Sequence, residues 1–172
     1  MSETGSTQRI GKVMMILAWV IGLGLAAMWF SGLEEQRLNP NRAPESIATD
    51  GGIEVHLESN PQGHYLMTGA INGQEVTFLL DTGATFVAVP ANLAKRLGLP
   101  EGRRITVTTA NGNADSFTTR IDTLQLGAIR LNDVNAGIVP GMDGEEILLG
   151  MSALRQLDFT QRGGQLILRQ HR

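Results

Sequence analysis

The chain has 172 residues, 42% of them hydrophobic and 18% charged, with a formal net charge of −3. That length supports one domain with a substantial core plus a tail, and the charge balance offers no basic face for nucleic acid. Cysteine is absent, which excludes disulfides, thiolate nucleophiles and Cys-based zinc sites. The three histidines, His56, His64 and His171, lack metal-ligand spacing, so no metal site is expected; no cofactor is expected either.

Residues 1–12 form a short polar tail with Arg9 and Lys12 near its end. From Val13 to Phe30 there is no charge, and at 1.5 Å per residue this run spans about 27 Å, close to a bilayer's hydrocarbon core. Trp29 and Phe30 at its exit suit an interfacial anchor, and the predicted transmembrane helix covers residues 13–33. A cleaved signal peptide is the competing reading, with Gly24-Leu25-Ala26 as a processing site. The apolar run continuing through Phe30 favours an uncleaved anchor in the lipid bilayer. Ala18, Gly22 and Ala26 form a small-residue ladder of the kind that lets two such helices approach. Arg9 and Lys12 lie closer to the segment than Arg37 and Arg42 do. This predicts a cytoplasmic N-terminus and a domain across the membrane, in the periplasm of a bacterial inner membrane.

Residues 34–52 read as a linker. Asn39-Pro40-Asn41-Arg42-Ala43-Pro44 blocks regular structure, and Asp50-Gly51-Gly52 ends the stretch in a turn. The folded domain is predicted over 53–172 as strand after strand. Ile53–Glu58 alternates apolar and polar residues, His64–Ile71 is a second strand, and Asn72-Gly73 is a hairpin signal leading into Glu75–Leu80. Pro90 to Gly98 carries a helix pattern with a proline start and a glycine stop. Ile105–Ala110, Asn111-Gly112 and Ala114–Leu126 read as a long hairpin. Leu124 to Val139 continues as short strands broken at Gly127 and Gly137. Leu157–Thr160 and Gln165–Arg169 pair through Arg162-Gly163-Gly164. The fold class is all-β with one or two short helices.

Within this pattern one stretch carries chemistry. Val76-Thr77-Phe78-Leu79-Leu80 reads as a buried strand, and Asp81 emerges where it leaves the core, a costly place for a carboxylate unless donors meet it. Gly83 permits a tight turn that aims backbone N–H groups at the carboxylate, and Thr82 and Thr85 add hydroxyl donors. Asp is also an ordinary turn former, but Asp-Thr-Gly arises by chance in a chain of this length only about 3% of the time. A second landmark is Ile147-Leu148-Leu149-Gly150-Met151, an apolar triplet ending in glycine before a short helical stretch.

Leu79-Leu80-Asp81-Thr82-Gly83-Ala84-Thr85 resembles the active-site motif of aspartic proteases. Leu148-Leu149-Gly150 resembles the second motif of their retropepsin-like (clan AA) branch. The resemblance covers residues 53–169 and is similar in layout to bacterial single-pass membrane-anchored members. It implies a single retropepsin-like β-barrel domain working as an aspartic endopeptidase, a homodimer in which two Asp81 carboxylates share a proton and activate one water for attack on a peptide or protein substrate. Two carboxylates about 3 Å apart cannot both ionise cheaply, so one acts as acid while the other acts as base; aspartic proteases are themselves the standard illustration of this effect. The resemblance implies support roles for Thr82, Gly83, Ala84 and Thr85, and a flap at Ala110, Asn111, Gly112 and Asn113. Many retroviral members carry Arg after the second-motif glycine; here Met151 stands there. The alternative function is a non-catalytic dimeric peptide-binding module of the same fold, holding an extended peptide by strand addition.

Overall fold

The computed structural model describes residues 4–109 and 112–171. A division between Arg37 and Leu38 separates two compact units.

The first unit is one helix, α1, over Thr4–Leu38. Its stretch Gly11–Phe30 has a mean hydropathy of 2.2 and none of it is buried within the chain. These twenty residues, uncharged apart from Lys12, reach about 30 Å, enough to cross a bilayer; by length and composition the segment suits a membrane span or a signal sequence. Trp29 and Phe30 meet edge to face, ring centroids 5.3 Å apart. The helix runs past residue 33 because Glu34, Glu35, Gln36 and Arg37 are all good helix formers.

The second unit is an all-β domain with two short helices. Its strands are β1 (Glu45–Thr49), β2 (Gly52–Glu58), β3 (Leu66–Ile71), β4 (Gln74–Leu80), β5 (Val87–Pro90), β6 (Arg104–Thr109), β7 (Gly112–Leu126), β8 (Ile129–Val139), β9 (Glu146–Leu149), β10 (Asp158–Arg162) and β11 (Gln165–His171). The helices are α2 (Ala91–Arg96) and α3 (Met151–Leu154). The main sheet runs β3-β4-β9-β5-β8-β7-β6 and closes on itself where β7 also pairs with β3, through Ile71 opposite Leu124. Closure joins β3, β4, β9, β5, β8 and β7 in a ring, and β6, paired with β7, remains an edge strand beside it. A second sheet, β1-β2-β11-β10, packs Val55, Leu57, Leu166 and Leu168 onto the same core as barrel residues Phe78, Ile121 and Leu149.

Local chemistry explains the turns. Asn72 and Gly73 both have positive φ, the conformation a two-residue hairpin between twisted strands requires. Strand β8 is continuous through Gly137, which sequence reading takes as a break. A Cβ there would sit 2.3 Å from the Phe86 ring, so the glycine serves close packing rather than a turn.

The segment read as a linker differs most from expectation. From Leu38 onward it belongs to the folded unit. Asn41 is buried and donates its amide to the carbonyls of Glu58 (2.9 Å) and Leu66 (2.6 Å), while its Oδ1 accepts from the Glu58 N–H (2.7 Å). Its own carbonyl accepts from the Thr68 N–H at 3.0 Å. Asn39 donates to the Thr68 hydroxyl, and Asn60 donates to the Leu38 carbonyl. Pro40 and Pro44 do prevent a strand here, but the asparagine amides take over the backbone pairing that a strand would provide. Beyond them β1 pairs with β2 from Glu45 opposite His56 to Thr49 opposite Gly52.

Candidate active site

Asp81 follows the last residue of β4, and β5 begins six residues later. Between these two strands lies β9: it runs parallel to β4, with Leu80 opposite Leu149, and meets β5 at Ala88 opposite Leu148. The loop from Asp81 to Phe86 therefore wraps around the end of β9. Three residues of the stretch Leu149–Ser152 hold it, at one point each. The Asp81 N–H donates to the Leu149 carbonyl (3.2 Å), the Met151 N–H donates to the Ala84 carbonyl (2.8 Å), and the Val87 N–H donates to the Ser152 hydroxyl (3.0 Å).

Gly150 is what permits this closeness. A Cβ on it would stand 2.2 Å from the Phe86 carbonyl oxygen and 2.7 Å from that of Ala84, closer than any side chain tolerates. Leu149 is fully buried and Leu148 half-buried, so the apolar triplet fixes β9 in the core while its glycine admits the loop. Ser152 was not singled out from sequence. It is buried, donates to the Asn135 carbonyl at 2.7 Å and thereby ties the loop's end to β8 as well. Its only sequence signal is a hydroxyl within the otherwise apolar Met151–Leu154 turn.

At the loop itself, Asp81 is half-buried and its Oδ1 accepts from the Gly83 N–H at 2.8 Å. The Asp81 carbonyl accepts from the Ala84 N–H at 3.2 Å, closing the turn. Thr82, Gly83 and Thr85 are exposed and Ala84 is half-buried; the Thr82 and Thr85 hydroxyls make no hydrogen bond among the described residues. Met151 is half-buried and packs on the core, taking a place in the apolar interior.

Asp81 opens onto a cleft of about 1200 Å³. Its lining comes from the Asp81 loop with Ala88 of β5 and Leu148 of β9, from the β6–β7 hairpin through Ile105, Val107 and Asn113, and from Val139 at the end of β8 onward to Asp143. Arg104 and Asp115 form an ion pair across the root of that hairpin, which keeps the Asp115 carboxyl below, and the Arg104 guanidinium above, their usual ranges. Of the predicted flap residues, Asn113 lines the cleft and Gly112 is exposed with positive φ, whereas Ala110 and Asn111 lie outside the described residues.

A family model described as "gag-polyprotein putative aspartyl protease" matches residues 67–156, just over half of the chain and the whole of the Asp81 loop and β9. The chain belongs to the retropepsin-like aspartyl protease family. Among solved structures, a retropepsin-like aspartic protease from Rickettsia conorii is similar at 27% identity and a TM-score of 0.56, over 67% of this chain and 98% of that one. An uncharacterized protein encoded in the cobV 5′ region of a Sinorhizobium species is 32% identical over 127 residues. That stretch is 72% of this chain, and the chain spans 54% of the length of that relative. In this retropepsin-like domain the family match begins at Met67 in β3 and ends at Gln156, two residues past α3. It thus includes the cleft and excludes α1, β1 and β2.

Proposed function

We propose that the protein is a membrane-anchored aspartic endopeptidase, active as a homodimer that contributes one Asp81 from each copy. The observation that carries this reading is the setting of Asp81. Its half-buried carboxylate leaves an Asp-Thr-Gly loop, opens onto a cleft large enough for an extended peptide, and shares that cleft with a hairpin. One chain supplies a single carboxylate of this kind. A lone carboxylate has no partner to hold the second proton state, whereas two at a two-fold axis divide acid and base roles between them. The exposed Thr82, Gly83 and Thr85 offer the self-complementary surface such a contact needs. In this assembly Thr82 supports the opposite loop, Gly83 supplies backbone donors, and Thr85 orients the outer carboxylate oxygen. The hairpin around Gly112 and Asn113 acts as a flap that shields the reacting water.

The apolar helix α1 serves as the anchor. Arg9 and Lys12 hold the N-terminus on the cytoplasmic side, so the domain lies in the periplasm; a reporter fused after Arg172 should behave as exported, and a cytoplasmic signal from it would reverse the orientation. The decisive test of the chemistry is Asp81→Asn in the full chain, in detergent or membranes, against a peptide library read by mass spectrometry. The amide keeps the shape but cannot share the proton, so cleavage should vanish while the fold remains. Cleavage persisting at near wild-type rate would sink the mechanism.

A further inference from the structure

The cleft beside Asp81 has an uneven chemistry. Its broad surface is apolar, from Phe86, Val139 and Leu148 together with Ile105 and Val107 of the hairpin. Only two charged side chains join it among the described residues, and both are carboxylates: Asp81 and Asp143. Among the described residues no Lys, Arg or His lines it. Arg104, beside the lining residue Ile105, pairs with Asp115 across the hairpin, and Arg96 pairs with Glu145 at 3.8 Å; Arg103 is exposed and outside the lining. Asp143 takes part in none of the ion pairs among the described residues. It is exposed, in a short loop where the Met142 N–H donates to the Val139 carbonyl at 3.2 Å and Gly144 has positive φ.

We infer that Asp143 is a specificity-determining residue, selecting peptide substrates that carry a lysine or arginine next to an apolar cleavage site. The inference rests on the peptidase reading and names the substrate class for it. An extended chain in this cleft buries apolar side chains on the broad surface. A neighbouring side chain then points to the Asp143 loop, where a long cation reaches the carboxylate while its methylene stem lies on Met142. A glutamate at that position meets only like charge, since no cation of the cleft offsets it. With two copies around one site, each Asp143 acts on its own side of the scissile bond, so the preference appears symmetrically on both sides.

The experiment compares peptides that share one apolar core and differ only in Lys, Gln or Glu, placed in turn at each flanking position. They are presented to the full-length protein in detergent micelles. Attraction for Lys added to repulsion of Glu should give wild type a Lys-over-Glu ratio in kcat/KM of about tenfold at one flanking position on each side, falling with added salt. Asp143→Asn should bring that ratio to about twofold or less, and Asp143→Lys should invert it, with the effect mainly in KM. The thermal midpoint of Asp143→Asn should match that of wild type, since the side chain is exposed, which separates lost selection from lost folding. A ratio near one in wild type, or a ratio that both variants leave unchanged, would overturn the inference. The same peptides are also tested by fluorescence anisotropy against the Asp81→Asn chain. Lys-selective binding that depends on Asp143, with no Asp81-dependent cleavage in wild type, would support acidic selection while refuting the peptidase reading.

Discussion

The residues that matter for the loop act through single, countable hydrogen bonds. Ser152 receives one from the Val87 N–H and gives one to the Asn135 carbonyl, and it is buried while doing so. Ser152→Ala should leave a buried N–H without a partner and cost about 1–3 kcal/mol, measured as a shift of the urea midpoint. A change within about 0.5 kcal/mol would mean that the Asp81 loop is held by packing rather than by this contact. On the outer face of the second sheet, Glu54 meets Arg169, its cross-strand neighbour, and lies 3.3 Å from the His56 ring. The Arg169 hydrogen bond, and secondarily that of His56, hold the Glu54 carboxyl below the ordinary value of 4.5. A depressed folded-state value means the contribution is present above that ordinary range and is lost as pH falls through the folded value. Glu54→Gln should therefore lower Tm near pH 7 and change it little at about pH 3. An equal loss at both pH values would assign the effect to packing instead of charge.

Elements differ in how openly the sequence declares them. Strands β2, β4 and β7 alternate or run apolar in the expected period, and Asn72-Gly73 names its own turn, so the barrel's outline was readable. The Asp81 loop and the Leu148–Gly150 segment were readable as motifs, and the structure supplies the reason they travel together: Gly150 is the only residue type that fits beneath two carbonyls. Other parts were silent for physical reasons. Strand β1 is exposed along almost its whole length, so it carries no alternation to detect. Asn39 and Asn41 are polar residues flanking a proline, and nothing in hydropathy distinguishes a solvated loop from amides that replace a strand's hydrogen bonds. The β6–β7 hairpin was legible, but the contribution of Asp143 to the cleft was not, because it depends on how the chain after β8 returns beside Asp81. The asparagine segment makes a direct prediction. A fragment beginning at Leu38 should fold like the intact domain, whereas one beginning at Ile53 loses Asn41 and β1. Three hydrogen bonds of the Asn41 side chain go with it, so the shorter fragment should be less stable by on the order of 3 kcal/mol in urea unfolding. Equal stability of the two fragments would return residues 38–52 to the status of a linker.

At the scale of the whole molecule the folded domain and the apolar helix have separate tasks in the proposed enzyme. The domain carries half a catalytic pair, and the helix confines two such halves to one surface. Confinement to one bilayer raises the effective concentration of the halves for each other, and the small-residue ladder Ala18, Gly22 and Ala26 adds a means for two helices to meet. The central claim is that a competent site needs an Asp81 from each of two chains. The most direct measurement is activity in membranes from cells co-expressing wild-type and Asp81→Asn chains in equal amounts, compared with the same total of wild type. Random pairing with an inactive mixed dimer leaves only wild-type pairs competent, which predicts about one quarter of the wild-type activity. A value of about one half, the result for chains that each work alone, would contradict the shared site.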